Sequence, residues 1–254
     1  MKHQPRKRFG QNFLHDPSVL YRIAQAVRVK PTDHLVEIGP GQGALTDVLI
    51  DDCGHYSAIE LDRDLIEPLR QQFKQPHFQL HSGDALQFDF GTLVPKPLRI
   101  VGNLPYNISA PLLVKLMDYS TQIQDIHVML QQEMAERITA IPGTKDYGRL
   151  SVMLQYFCHA ESLFVVPPEA FDPVPKVMSM VVRMIPYPQK PHIANDLKKL
   201  DQLLRQAFSQ RRKTISNTLK PYFTKEQLSS FGIDPQQRPE TITVGQYVML
   251  GNKI

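Results

Sequence analysis

His34-Leu35-Val36-Glu37-Ile38-Gly39-Pro40-Gly41-Gln42-Gly43-Ala44 is the stretch on which the fold turns. His34 to Ile38 has the length and bounds of a buried strand, and the glycines after it close that strand sharply before a helix opens at Ala44. Glycines here let the backbone turn and let a ligand approach the peptide groups closely. By itself the loop is ambiguous. Gly39, Gly41 and Ala44 also satisfy the loose dinucleotide fingerprint, and Glu60, about twenty residues on, suits a ribose diol in either case.

Outward from this point, strand-like and helix-like segments alternate. Strands are expected at Tyr56–Glu60, His77–His81, Leu98–Val101 and Ile126–Leu130, with helices at Ala44–Asp51, Leu65–Phe73 and Pro111–Tyr119. That order predicts an α/β fold, a parallel sheet with helices on both faces. Leu163–Val166 and Met180–Met184 are expected to finish the sheet antiparallel at one edge. Ile185 to Pro191 then holds three prolines in seven residues, a stiff linker. Beyond it Leu200, Leu203, Leu204, Ala207 and Phe208 share one helical stripe that ends near Ser209, and Ile215 and Leu219 begin a second short one. Thr243 to Leu250 makes a further helix or docks back. Two domains are expected: residues 1–188, and a small all-helical one over 189–254.

The ends of the expected strands carry the chemistry. Glu37 precedes the first glycine, where it can organise the loop or meet a cationic ligand. Asp84, after the third strand, can accept a hydrogen bond from an adenine amino group. With Glu60 these make an acidic set that suits a sulfonium cation and repels a pyrophosphate. S-adenosylmethionine is therefore favoured over a dinucleotide. After the fourth strand comes Asn103-Leu104-Pro105-Tyr106-Asn107, followed by a helix-start signal at Ser109-Ala110-Pro111. An amide oxygen that accepts from an exocyclic amine, beside a ring that can stack on a flat base, suits chemistry on the amino group of a nucleobase.

Composition sets wider bounds. A chain of 254 residues, 42% of them hydrophobic, can bury a full core, and its net charge of +4 is mildly basic. The charge is clustered: Lys2, Arg6, Lys7 and Arg8 near the start, and Arg205, Arg211, Arg212, Lys213 and Lys220 later. Two cysteines, Cys53 and Cys158, make neither a metal site nor a disulfide framework, so a reducing, cytoplasmic setting is expected. No apolar run is long enough to span a bilayer, and no signal peptide is evident.

Taken together, these pieces resemble the bacterial small-subunit (16S) ribosomal RNA adenine dimethyltransferases. The resemblance is carried by Phe9-Gly10-Gln11-Asn12-Phe13-Leu14, the Glu37–Gly43 loop, Ile59-Glu60-Leu61-Asp62, Gly83-Asp84-Ala85 and Asn103–Asn107. Gln132–Arg137, Phe171-Asp172-Pro173-Val174-Pro175-Lys176-Val177 and Ala207–Thr214 belong to the same pattern, so it covers nearly the whole chain. It implies a Rossmann-like class I S-adenosylmethionine-dependent methyltransferase sheet with a small C-terminal all-α domain. It also implies S-adenosylhomocysteine as product, no metal, no membrane, and 16S rRNA within the small subunit as partner of a monomer. By the same resemblance Asn12 and Leu14, with Gln11 nearby, close over the cofactor's methionine end, and Gly39 and Gly41 meet it through the backbone. Glu60 holds its ribose hydroxyls and Asp84 its adenine amine, and Leu61 and Ala85 also bind the cofactor. Asn103 and Leu104 hold the target amine, Asn103 being shared with the cofactor, while Tyr106 and Phe171 sandwich the extruded adenine. Arg211, Arg212 and Lys213 grip RNA phosphates. Two rivals stay open: a 23S rRNA adenine methyltransferase of the macrolide-resistance type, and a ribosome-assembly factor that keeps the fold without turnover.

Overall fold

The computed structural model describes residues 11–210 and 212–254. In chain order the elements of the first part are β1 (Phe13–Leu14), α1 (Pro17–Val27), β2 (His34–Ile38), α2 (Ala44–Leu49), β3 (His55–Glu60), α3 (Arg63–Gln72) and β4 (Phe78–Ser82). There follow β5 (Leu98–Asn103), α4 (Ser109–Leu116), β6 (Ile123–Gln131), α5 (Gln132–Thr139), α6 (Arg149–Gln155), β7 (Cys158–Val166), β8 (Phe171–Asp172) and β9 (Ser179–Pro186). Four helices complete the chain: α7 (Leu197–Ala207), α8 (Ile215–Thr218), α9 (Lys225–Ser230) and α10 (Val244–Gly251).

Seven strands form one sheet in the order β4-β3-β2-β5-β6-β9-β7. The first five run parallel, and β9 returns antiparallel to β6 with Val128 opposite Val182. Strand order reverses between β2 and β5, so their carboxyl ends open the crevice where such sheets bind ligands. All five residues of β2 are buried, as a central parallel strand covered on both faces requires. Leu35, Tyr56, Ala58, Val101, Met129 and Val181 meet the apolar stripes of α1, α2 and α3 in one core. The alternate residues Val36, Ile38, Ile100, Val128 and Leu130 are buried on the other face.

Local chemistry starts and stops these elements. The Asp16 carboxylate accepts from the N–H groups of Ser18 and Val19 with Pro17 at the first turn, and Val19, Leu20, Ile23 and Val27 then fall on the buried stripe of α1. Gly43 has φ +83°, and a Cβ there would lie 2.6 Å from the Phe73 ring. Gly102 permits β5 to lie against β2, since its Cβ would meet the Ile38 carbonyl oxygen at 2.6 Å. Below the sheet's ligand end, Arg99 is buried between two acids, with Nη1 2.6 Å from Asp33 Oδ2 and Nη2 2.7 Å from Asp125 Oδ2. Its Nη2 also donates to the Val27 carbonyl at 2.6 Å, tying the end of α1 to the sheet.

The chain divides into two compact units, 1–135 with 159–186, and 136–158 with 187–254. This crosses the boundary drawn at residue 188 from the linker: residues 136–158 group with the C-terminal helices. The reason is packing that periodicity does not show. Within the second unit the Tyr147 ring lies 6.4 Å from Phe208, Phe208 lies 5.6 Å from Tyr247, and Arg149 pairs with Asp201 at 2.6 Å. The expected stripe is buried as α7, and Thr243–Leu250 falls on α10. Helices α1, α5, α6 and α9 and the β1–β8 pair have no counterpart in the expected elements. No helix among the described residues is long and apolar enough to cross a membrane.

Candidate active site

A cavity of about 240 Å³ opens at the carboxyl ends of β2, β3, β4 and β5. Its lining includes Gln11, Asn12, Leu14, Gly39, Gly41, Glu60, Leu61, Asp84, Ala85, Asn103, Leu104 and Tyr106. Residues distant in sequence are brought together because five strands end on one side.

The loop after β2 is built to present backbone. The Gly39 N–H donates to the Ile59 carbonyl at 2.9 Å, and a Cβ on Gly39 would have only the Asn103 carbonyl oxygen near it, at 4.0 Å. Space therefore lies over a bare peptide. Glu60, ending β3, is buried; its Oε2 accepts from the Gly41 N–H at 3.1 Å and its Oε1 from the Asp62 N–H at 2.7 Å. Those bonds aim the carboxylate, while burial raises its pKa above the ordinary range. Asp84 is fixed by accepting from the Leu86 N–H at 2.9 Å. Gln11 donates through Nε2 to Asp62 Oδ2 at 2.9 Å, which ties the segment before β1 to the cap of α3.

Glu37 takes the organising role of the two open to it. Its Oε2 accepts from Thr46 Oγ1 on α2 and from the Tyr56 hydroxyl at 2.7 Å on β3, and the residue is 1% exposed. Burial pushes its carboxyl up to about 7, with the Glu60 charge adding to the rise and the two hydroxyl bonds opposing it. Glu37, Glu60 and Asp84 all line the cavity, Glu37 being more deeply buried than Glu60.

At the end of β5 the Asn103 amide is oriented by the chain itself: Nδ2 donates to the Asn12 carbonyl at 2.9 Å. With the donor end engaged, Oδ1 is the end left to accept. The Leu104 N–H donates to the Met129 carbonyl at 3.1 Å, which holds the peptide just past the end of β5. Ser109 Oγ donates to the Pro105 carbonyl at 2.9 Å and closes the turn into α4. The Tyr106 hydroxyl is 3.1 Å from Ser179 Oγ, a buried residue at the start of β9, so the ring is anchored at its far end.

Phe171 stands apart from the expectation that it faces Tyr106 across a base. It is 1% exposed, is absent from the cavity lining, and packs in the core with its backbone paired to Leu14. The β1–β8 pairing draws it inward, a contact of long sequence separation. Arg212 and Lys213 are exposed in the turn after α7; Arg211 lies outside the described residues, as do Lys2, Arg6, Lys7, Arg8, Phe9 and Gly10. Cys53 and Cys158 are buried, and burial pushes both thiols up to about 12, which suits neither to nucleophilic work.

Two residues at the cavity escaped the sequence reading. Ser179 touches the site through the Tyr106 hydroxyl, and nothing local marks it. His127, 2% exposed in the middle of β6, lines the floor of the cavity. Neither ring nitrogen has a hydrogen-bond partner, and burial lowers the imidazole to about 4, so it is neutral at physiological pH.

The residues present fit S-adenosylmethionine: a bare glycine backbone, then acids at the ends of the two adjoining strands, suit a nucleoside with a cationic side arm. Sheet order, glycine loop and strand-end acids define a class I, S-adenosylmethionine-dependent methyltransferase. Comparison with known proteins then narrows the class. The profile of the ribosomal RNA adenine dimethylase family matches residues 2–254, and the chain belongs to that family. It is 54% identical over 258 residues to the ribosomal RNA small subunit methyltransferase A of Janthinobacterium sp. (strain Marseille), covering all of both chains. The protein of that name from Pseudomonas aeruginosa is 50% identical over 256 residues, covering all of this chain and 96% of its own. Among solved structures, a dimethyladenosine transferase from Plasmodium falciparum superposes with a TM-score of 0.79 at 26% identity, covering 94% of this chain and 95% of that one. The 23S rRNA methyltransferase ErmE gives 0.73 at 25% identity, covering 95% and 99%.

Proposed function

We propose that the protein transfers methyl groups from S-adenosylmethionine to the exocyclic N6 of two adjacent adenines near the 3′ end of small-subunit 16S rRNA, giving N6,N6-dimethyladenine during late subunit biogenesis. The observation that carries the reading is the Asn103 amide, whose nitrogen is held by the Asn12 carbonyl so that its oxygen is the acceptor at the mouth of the cavity. The names of the full-length relatives support the small-subunit substrate over the large-subunit one.

The cofactor supplies an activated methyl on a sulfonium. Everything else falls to the chain. Adenine's N6 is a weak nucleophile because its lone pair is shared with the ring. Asn103 Oδ1 and the Leu104 carbonyl accept its two N–H groups and draw the nitrogen toward tetrahedral geometry, which frees the lone pair for in-line attack. Alignment of this kind removes much of the barrier without a covalent intermediate. The base must first leave its stack, and the Tyr106 ring offers a face that offsets part of that cost. Glu60 holds the ribose hydroxyls and Asp84 the cofactor's adenine amine. Bond formation at N6 releases one of its two protons to solvent; the monomethylated base keeps one N–H, so one acceptor still orients it for a second round.

The test supplies isotopically labelled S-adenosylmethionine and unmethylated small subunits, then digests the RNA. Label in N6,N6-dimethyladenosine from 16S rRNA is expected. Label confined to 23S rRNA, or to a nucleoside other than adenosine, would overturn the assignment.

A further inference from the structure

Between β8 and β9 the chain runs Pro173-Val174-Pro175-Lys176-Val177-Met178. Both ends of this segment are fixed at the cavity wall. Phe171 pairs with Leu14, a lining residue, and Ser179 holds the Tyr106 hydroxyl. The Met178 carbonyl accepts from the Gln132 N–H at 3.0 Å. Between those anchors Val174, Val177 and Met178 are 62%, 44% and 38% exposed. Nowhere else among the described residues do three exposed large apolar side chains fall within five positions. Such a cluster beside a binding site is surface kept for a partner. Two prolines stiffen the segment, so little freedom is lost on contact, and Lys176 sets one cation among the apolar groups.

We propose that residues 173–178 form an apolar wedge that enters the RNA beside the target adenine, with Val174 and Val177 filling the stack position the base leaves. The inference rests on the adenine reading above and adds the device that stabilises the extruded state. A base stack is the occupant these residues fit: its gap is flat and apolar, its border is phosphate, and the segment offers valines flanking a lysine. Apolar side chains inserted at a base step offset the unstacking that extrusion demands. Tyr106, tied to the root of the wedge through Ser179, is then on hand to take the base that has swung out.

The experiment uses the full chain and small-subunit loop RNA with 2-aminopurine at the target position, whose fluorescence rises when the base unstacks. A second RNA replaces the flanking nucleotides with abasic residues, which removes the stack in advance. The double variant Val174→Ser, Val177→Ser should lower the extruded fraction about tenfold on the stacked RNA. On the abasic RNA it should match the wild-type protein. Its unfolding midpoint should be that of wild type, because both valines are exposed. Equal signals from variant and wild type on the stacked RNA would overturn the wedge alone. So would a variant that loses bound RNA, read by anisotropy of the same samples, without changing extrusion in what remains bound. If the wild-type protein transferred no labelled methyl to the same loop RNA carrying adenine at the target position, the adenine reading itself would fall.

Discussion

Replacing Glu37 by glutamine tests how the floor of the site is held together. The wild-type carboxyl is wholly enclosed, and burial, with Glu60 nearby, lifts its pKa from an ordinary 4.5 to about 7. A folded-state pKa above the unfolded one means the folded chain binds that proton more tightly. The group's stabilising contribution is therefore complete below about pH 4.5 and is lost as pH rises through about 7. The gap corresponds to about 3 kcal/mol by the end of the titration. Glutamine cannot ionise, yet its carbonyl oxygen can still accept from Thr46 Oγ1 and the Tyr56 hydroxyl. Urea unfolding of both proteins from mildly acidic to mildly alkaline pH is the assay. Near pH 5 the two should differ little; toward pH 8 the Glu37→Gln protein should gain on wild type by about 3 kcal/mol. Stability curves that run parallel across this range would refute the reasoning, because they would mean the buried carboxyl titrates alike in both states. Since the substitution keeps the loop's anchor, methyl transfer near neutral pH should persist.

Other outcomes follow from the same geometry. Asn103→Ala should lower turnover by ~10²-fold, the size of losing one preorganised hydrogen-bonding group at a reacting centre, with a much smaller change in cofactor affinity; turnover near wild type at saturating cofactor would remove the assigned role. Phe171→Ala should cost about 3–5 kcal/mol of stability, as a buried aromatic truncated in a core does, and Phe171→Leu far less. An alanine variant as stable as wild type but inactive would return the ring to the base. Arg99→Met strands the buried Asp33 and Asp125 carboxylates and should destabilise by about 3–5 kcal/mol, seen as a lower melting temperature; an unchanged one would mean the cluster is neutral in net effect. Charge reversal at Arg212 and Lys213 should weaken RNA binding and reduce the slope of log affinity against log salt by about one to two. An unchanged slope would reassign them to a solvated surface.

The sequence alone determined the parallel sheet, because strands that end in glycines, acids or an amide announce both their boundaries and their shared edge. His34–Ile38 is the observed strand, and Leu98–Val101 misses only the last two residues of its own. It also determined that Gly39, Glu60, Asp84, Asn103 and Tyr106 meet in one crevice, since consecutive strand ends of a parallel sheet have nowhere else to converge. Only tertiary structure decided what depends on partners far along the chain. The Phe171 ring goes inward because β8 pairs with β1, and Glu37 is an enclosed anchor because Thr46 on α2 and Tyr56 on β3 both donate to it. The Asn103 amide is turned by a carbonyl 91 positions away. Residues 136–158 join the helical unit through rings, Tyr147 against Phe208, that no local period records. Periodicity fixes which face of an element is apolar; which element covers that face, and which way a polar group turns beneath it, is set by contacts made only once the chain has closed on itself.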